Sequence, residues 1–122
     1  MANVGYLEGT DPLVLSRLAV RGAGTVPVSN GFDRHGKYIN HLSKDDHIAV
    51  IIGYPHKLIP SPERKMTSKD LLFACITHDI PVLLIMPTEE HAAARKALGD
   101  AAQYVTLVEP AALFDAVWKM VS

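Results

Sequence analysis

At 122 residues the chain is sized for one compact domain, residues 1–122, long enough to bury a core without disulfide or metal staples. Twelve basic and 13 acidic side chains leave a net charge of −1, which excludes the bulk signature of a nucleic-acid or anionic-membrane binder and favours a protein or small-molecule partner. No apolar run approaches the roughly 18 residues of a membrane span, and Met1-Ala2-Asn3 leads into the first strand without a charged n-region and an h-region, so an unexported, cytoplasmic protein is expected.

Val4-Gly5-Tyr6-Leu7 reads as a short apolar strand. In the turn Glu8-Gly9-Thr10-Asp11-Pro12, Thr10 or Asp11 can cap a helix from Leu13 to Val20, with Gly22-Ala23-Gly24 as its stop. Thr25 to Ser29 is a second strand, and its internal Pro27 marks it as a sheet edge. Asn30-Gly31 turns the chain, and Asp33 can cap a helix ending near Ser43 on the thin stripe Tyr38, Ile39 and Leu42. Ile48 to Gly53 follows, apolar on both faces as the middle strand of a helix-covered parallel sheet must be. The loop from Tyr54 to Ser68, with three prolines and with Lys57, Arg64 and Lys65, is long enough to suggest a functional segment.

Thr67 or Ser68 caps a third helix, Lys69 to Thr77. Cys75, the single cysteine, lies on its buried face, which suits a reducing compartment. Pro81 to Met86 is a fourth strand, Pro87-Thr88-Glu89-Glu90 opens a helix that runs to Leu98 and stops at Gly99, and Tyr104 to Val108 is a fifth strand. Pro110 begins a last helix in which Leu113, Val117, Met120 and Val121 form one stripe and Phe114 and Trp118 a neighbouring one. Five strand-then-helix units predict an α/β, flavodoxin-like (βα)5 doubly wound sandwich with a parallel five-stranded sheet in the order 2-1-3-4-5. The competing architecture is half of a larger nucleotide-binding domain.

The order of these signatures resembles that of a response-regulator receiver domain of the chemotaxis type. Glu8-Gly9-Thr10-Asp11-Pro12-Leu13-Val14-Leu15 resembles the acidic turn and apolar helix that open receivers, and Val28-Ser29-Asn30-Gly31 their second strand and turn. Ile80-Pro81-Val82-Leu83-Leu84-Ile85, the helix ending Ala97-Leu98-Gly99-Asp100-Ala101-Ala102, and Val108-Glu109-Pro110 are similar to the second half. The chemistry the resemblance implies departs from the family at each reactive position. Gly9 and Thr10 stand where a metal-binding carboxylate pair would be, Gly53 where the phosphoacceptor aspartate would end the third strand, Met86 where a hydroxyl residue would end the fourth, and Glu109 where a lysine would precede the last proline. A carboxylate at that last position repels a phosphoryl group. The resemblance therefore implies a pseudo-receiver: a signalling module related to two-component systems that works by binding a partner or effector domain. Receivers pair through their fourth helix, fifth strand and fifth helix, which makes Arg95, Tyr104 and Trp118 candidates for a homodimer or docking surface.

In the expected strand order, Thr10, Asp11, Asn30, Asp33 to His35, His56 and Lys57 converge at the topological switch point, and Lys57, Arg64 and Lys65 could close over a small anion or nucleotide. His56 would be the acid or base of an enzyme there, but no nucleophile accompanies it in the sequence. Of the six histidines, His35, His41 and His47 are spaced by six, which puts no two on one helix face, and no HExxH or Cys/His pairing is present. Neither a metal nor a cofactor is expected. Asp33-Arg34-His35-Gly36 is similar to the DxHxxG loop of cobalamin-binding domains, but its glycine comes two residues early and it follows the wrong strand.

Overall fold

A computed structural model describes residues 2–122. The chain forms an α/β domain around a single all-parallel sheet of six strands: β1 (Asn3–Tyr6), β2 (Gly24–Ser29), β3 (Lys37–Tyr38), β4 (Ile48–Gly53), β5 (Val82–Ile85) and β6 (Thr106–Val108). Their order across the sheet is β3-β2-β1-β4-β5-β6. Strand count and order thus differ from the expected five strands in the order 2-1-3-4-5, because a two-residue strand is added outside β2. The architecture is compatible with a flavodoxin-like fold.

Five helices cover the sheet: α1 (Pro12–Val20), α2 (Ser68–Leu71), α3 (Phe73–Thr77), α4 (His91–Leu98) and α5 (Leu113–Val121). Alternation along the strands divides the core in two. Val4, Val50, Ile52, Leu83 and Ile85 pack with Leu18 of α1 and with Leu113, Phe114, Val117 and Val121 of α5. Ile51, Val82 and Leu84 face the other way, against Leu71, Leu72, Cys75, Ala94 and Leu98 of α2 to α4. β4 and β5 are buried on both faces, as their unbroken apolar runs require. Each fully buried Leu or Ile contributes about 1.5–3 kcal/mol relative to exposure, so these two layers dominate the stability of the fold.

The helix expected between Asp33 and Ser43 is absent. Gly31 and Gly36 both take positive φ, and the segment settles into β3 and two 3₁₀ turns, Ile39–His41 and Lys44–Asp46, with Ile39 and Leu42 buried. Two apolar anchors are too few for an amphipathic helix face, and the backbone satisfies itself locally instead. Gly36 runs so close to β2 that a Cβ on it would overlap the Pro27 carbonyl oxygen. β2 is consequently an edge from Gly24 to Pro27 but an internal strand at Val28 and Ser29, where β3 pairs with it. That corrects the expectation from Pro27 for the strand's last two residues.

The third helix is two short ones, broken at Leu72 (φ −94°, ψ 6°), with Thr67 and Asp70 forming a reciprocal cap at the start. Tyr104 belongs to a 3₁₀ segment (Gly99–Tyr104) rather than to the fifth expected strand, and Met120 is exposed rather than part of the α5 core stripe. Among the described residues no helix is long and apolar enough to cross a membrane.

Candidate functional site

β1 and β4 are neighbours whose following connections leave in opposite directions, β1 toward β2 and β4 toward β5. Such a reversal is where open α/β sheets place a crevice at the carboxyl ends of strands. Here it is filled. The backbone N–H of Leu7 donates to Ile52 O at 2.9 Å, and the buried Leu7 side chain lies over Gly53. A Cβ on Gly53 would lie 2.8 Å from both Cβ and Cδ1 of Leu7, closer than real Cβ contacts come.

Beside Leu7, three loops meet on one ammonium. Lys57 sits in a 3₁₀ turn, Pro55–Leu58, fixed by the burial of Pro55 and Leu58 on either side of it. Its Nζ donates to the Glu8 carboxylate after β1 and, at 3.1 Å, to Asp33 Oδ2 after β2. The two carboxylates, Glu8 foremost, hold the Lys57 ammonium above its ordinary pKa. Asn30 ties the same loops through its amide: Nδ2 donates to Lys57 O at 2.8 Å, and Oδ1 accepts from the backbone N–H groups of Phe32 and Asp33 at 2.9 and 3.0 Å. Ser29 Oγ donates to Asp33 O at 2.6 Å and accepts from Gly31 N–H at 3.0 Å. One cation and two anions leave this cluster a net charge of −1, which disfavours an incoming anion.

The other expected ligand residues are engaged elsewhere. Thr10 is buried and donates its hydroxyl to Leu7 O at 2.7 Å. Asp11 caps α1, accepting from Leu13 N–H at 2.9 Å. His35 Nδ1 lies 3.2 Å from Val28 O, so that nitrogen carries the proton, and the ring sits edge-on to Tyr6 at 5.2 Å. His56 is exposed and stacks on Tyr54 at 6.3 Å. The Arg64 guanidinium covers the Phe32 ring at 3.8 Å, drawing the long loop over the end of β2. Lys57, Asn30 and Asp33 are therefore brought together, whereas Thr10, Asp11, His35, His56 and Arg64 keep separate partners. Leu7 and Glu8 complete the cluster. Their signal is positional: an apolar residue opposite a strand-end glycine, then a carboxylate opposite a strand-end lysine.

At the far side of the sheet, Glu109 after β6 accepts from the Thr88 backbone N–H at 2.6 Å and from the Thr88 hydroxyl. These bonds, with the neighbouring His91, hold its carboxyl below the ordinary range. Met86 follows β5, with its carbonyl 2.7 Å from His91 Nε2 and its N–H donating to Val108 O at 3.0 Å. Gly9 occupies an exposed turn at φ +86°. Among the described residues no group of three or more His, Cys, Asp or Glu side chains is placed to hold a metal ion.

Arg95 is exposed on α4, and Tyr104 borders a cavity of about 280 Å³ with Leu72, Cys75 and Ile80. Trp118 lies against the opposite core, its ring parallel to Phe114 at 6.2 Å. Arg95 and Tyr104 thus stand on the side of the sheet covered by α4, and Trp118 on the side covered by α5.

No protein-family model, no curated protein and no solved structure matches the chain.

Proposed function

We propose that the chain is a receiver-like regulatory module of the cytoplasm that works by binding a protein partner and takes up no phosphate. The observation that carries this reading is Leu7 over Gly53: the space a phosphoacceptor side chain would need at the end of the middle strand is occupied by a buried leucine. Supporting it, the five longer strands run across the sheet as β2-β1-β4-β5-β6, an arrangement compatible with a flavodoxin-like fold, with α1 and α5 on one face and α2 to α4 on the other. Glu109, which the resemblance sets where receivers keep a lysine, is a carboxylate bound to Thr88, and a carboxylate repels a phosphoryl group. Lys57, a cation at the ends of these strands, is already matched by two carboxylates, which argues against an anionic ligand there. With the strand-end loops tied to one another through Lys57 and Asn30, the outer surfaces of the fold are what it offers to a partner.

The test is incubation with a small phosphodonor and Mg²⁺, followed by intact-mass measurement. The unmodified mass is expected. A stoichiometric acyl-phosphate would overturn the reading.

A further inference from the structure

We propose that the outer face of α1 is a docking surface for an acidic amphipathic helix of a partner protein. This rests on the reading of the chain as an interaction module and names the surface and the chemistry that would recognise it. Leu13 and Val20 are 73% and 87% exposed, an unusual display for two large apolar side chains of one short helix. Seven residues apart, they stand two turns from each other on one stripe, about 10.5 Å along the axis. With Ser16, Arg17 and Arg21 they line an open concavity of about 260 Å³.

The charge on this stripe is ordered and unmatched. The Arg17 guanidinium lies 3.9 Å from the centroid of the Phe114 ring, and that of Arg21 lies 5.0 Å from the same ring and 5.7 Å from Trp118. Stacking engages the faces of the guanidinium groups and leaves their N–H edges free to meet acceptors. Among the described residues the ion pairs are Lys37–Asp46, Lys57–Glu8 and Lys57–Asp33, and neither arginine takes part. Two apolar anchors two turns apart, flanked by pre-ordered cations, complement a helix with apolar residues at i, i+3 or i+4, and i+7 and carboxylates alongside.

The same features disfavour other occupants. A two-fold pair of this chain would bring the guanidinium groups of both copies together on a patch whose lining contains no carboxylate. An anionic membrane would meet two arginines on a chain of net charge −1, far short of a polybasic cluster.

The test uses the full chain and a fluorescently labelled, helix-stapled peptide with leucines at i, i+3 and i+7 and flanking glutamates, read by anisotropy. A peptide of the same pattern with lysines for glutamates is the control. The acidic peptide is expected to bind, at least tenfold more weakly to Arg17→Glu and to Val20→Ser, and more weakly with added salt, while the lysine peptide does not bind. Val20 is so exposed that its replacement leaves the fold intact, which circular dichroism and the thermal midpoint check. Equal binding of both peptides, no binding of either, or undiminished affinity in both variants overturns the proposal. So does concentration-dependent dimerisation lost in Val20→Ser, which assigns the face to a second copy. So does binding to phosphatidylglycerol-containing vesicles lost in Arg17→Glu, which assigns it to a membrane. The phosphodonor experiment is independent: an acyl-phosphate sinks the phosphate-independent reading, whereas a failed peptide titration on an unphosphorylated chain sinks only the α1 surface.

Discussion

Leu7 and Gly53 are complementary in volume: the leucine side chain rests where a Cβ on the glycine would lie, with 2.8 Å to Leu7 Cβ and Cδ1. Placing an aspartate at 53 must therefore displace Leu7 as well as bury a carboxylate beside an apolar core. Gly53→Asp is expected to lose at least about 1–3 kcal/mol from overpacking, read as a lower urea midpoint, and to gain no acyl-phosphate on exposure to a phosphodonor. Leu7→Ala in the same chain should recover part of the loss by opening the space. A Gly53→Asp variant as stable as the parent would show that Leu7 does not exclude a side chain there.

Lys57 joins the loops after β1, β2 and β4, so Lys57→Met should leave Glu8 and Asp33 facing each other without their cation. A loss of up to about 1 kcal/mol at neutral pH is expected, since the pair is partly solvated. The pH dependence has a definite sign. Glu8 and Asp33 raise the folded-state pKa of Lys57 above its ordinary 10.5, so its contribution is fully present below that value and lost as pH rises through the folded-state pKa. Urea titrations from pH 8 upward should show the parent losing its advantage over Lys57→Met only on the alkaline side. A constant difference across that range would remove the ion-pair explanation.

Because Lys57 is matched by two carboxylates, inorganic phosphate, nucleotides and flavins at millimolar concentration should leave the melting temperature unchanged. A ligand present at 100 times its Kd would add about 2.7 kcal/mol of stability, well within reach of a thermal-shift measurement. A clear rise with any of these anions would revive the strand ends as a ligand site, with Arg64 and His56 the next side chains to replace.

Glu109 owes its lowered pKa first to the Thr88 hydroxyl and then to the Thr88 backbone N–H. In Thr88→Ala the first donor is gone, and a carboxyl-detected NMR titration should place Glu109 closer to its ordinary 4.5. Since the folded-state value is depressed, the bond stabilises the protein above that ordinary value and ceases to do so as pH falls through the folded-state pKa. An unchanged titration in Thr88→Ala would assign the shift to other neighbours.

Burial pushes the Cys75 thiol up to about 12, so at pH 8 almost none of it is thiolate. Its reaction with a disulfide reagent should be slow in the native protein and become fast in urea, with a rate that follows opening of α3. Rapid native reaction would place Cys75 nearer the surface than its packing against the α2 to α4 core allows.

The amino-acid pattern by itself determined the parts of this protein that depend on local repetition. The apolar runs at Ile48–Gly53 and Val82–Ile85 are legible as strands covered on both faces, and Asp11 before Pro12 or Thr67 before Asp70 as helix starts, because propensity and capping act within a few residues. The stretch from Asn30 to His47 was not legible: its stripe suggests a helix, yet the close approach of Gly36 to Pro27 makes β3 the better outcome. Packing of neighbouring backbone decides such a choice, and it leaves no periodic mark. The candidate site divides the same way. Strand-end residues such as Asn30 and Lys57 can be anticipated from topology, but the pairing of Lys57 with Glu8, Asp33 and Asn30, and the occupation of Gly53's space by Leu7, join residues 24 to 49 positions apart in the chain. Only the tertiary structure brings those groups within hydrogen-bonding and van der Waals range. The stacking of Arg17 and Arg21 on Phe114 is of the same kind, because it requires α1 and α5 to share one face of the sheet.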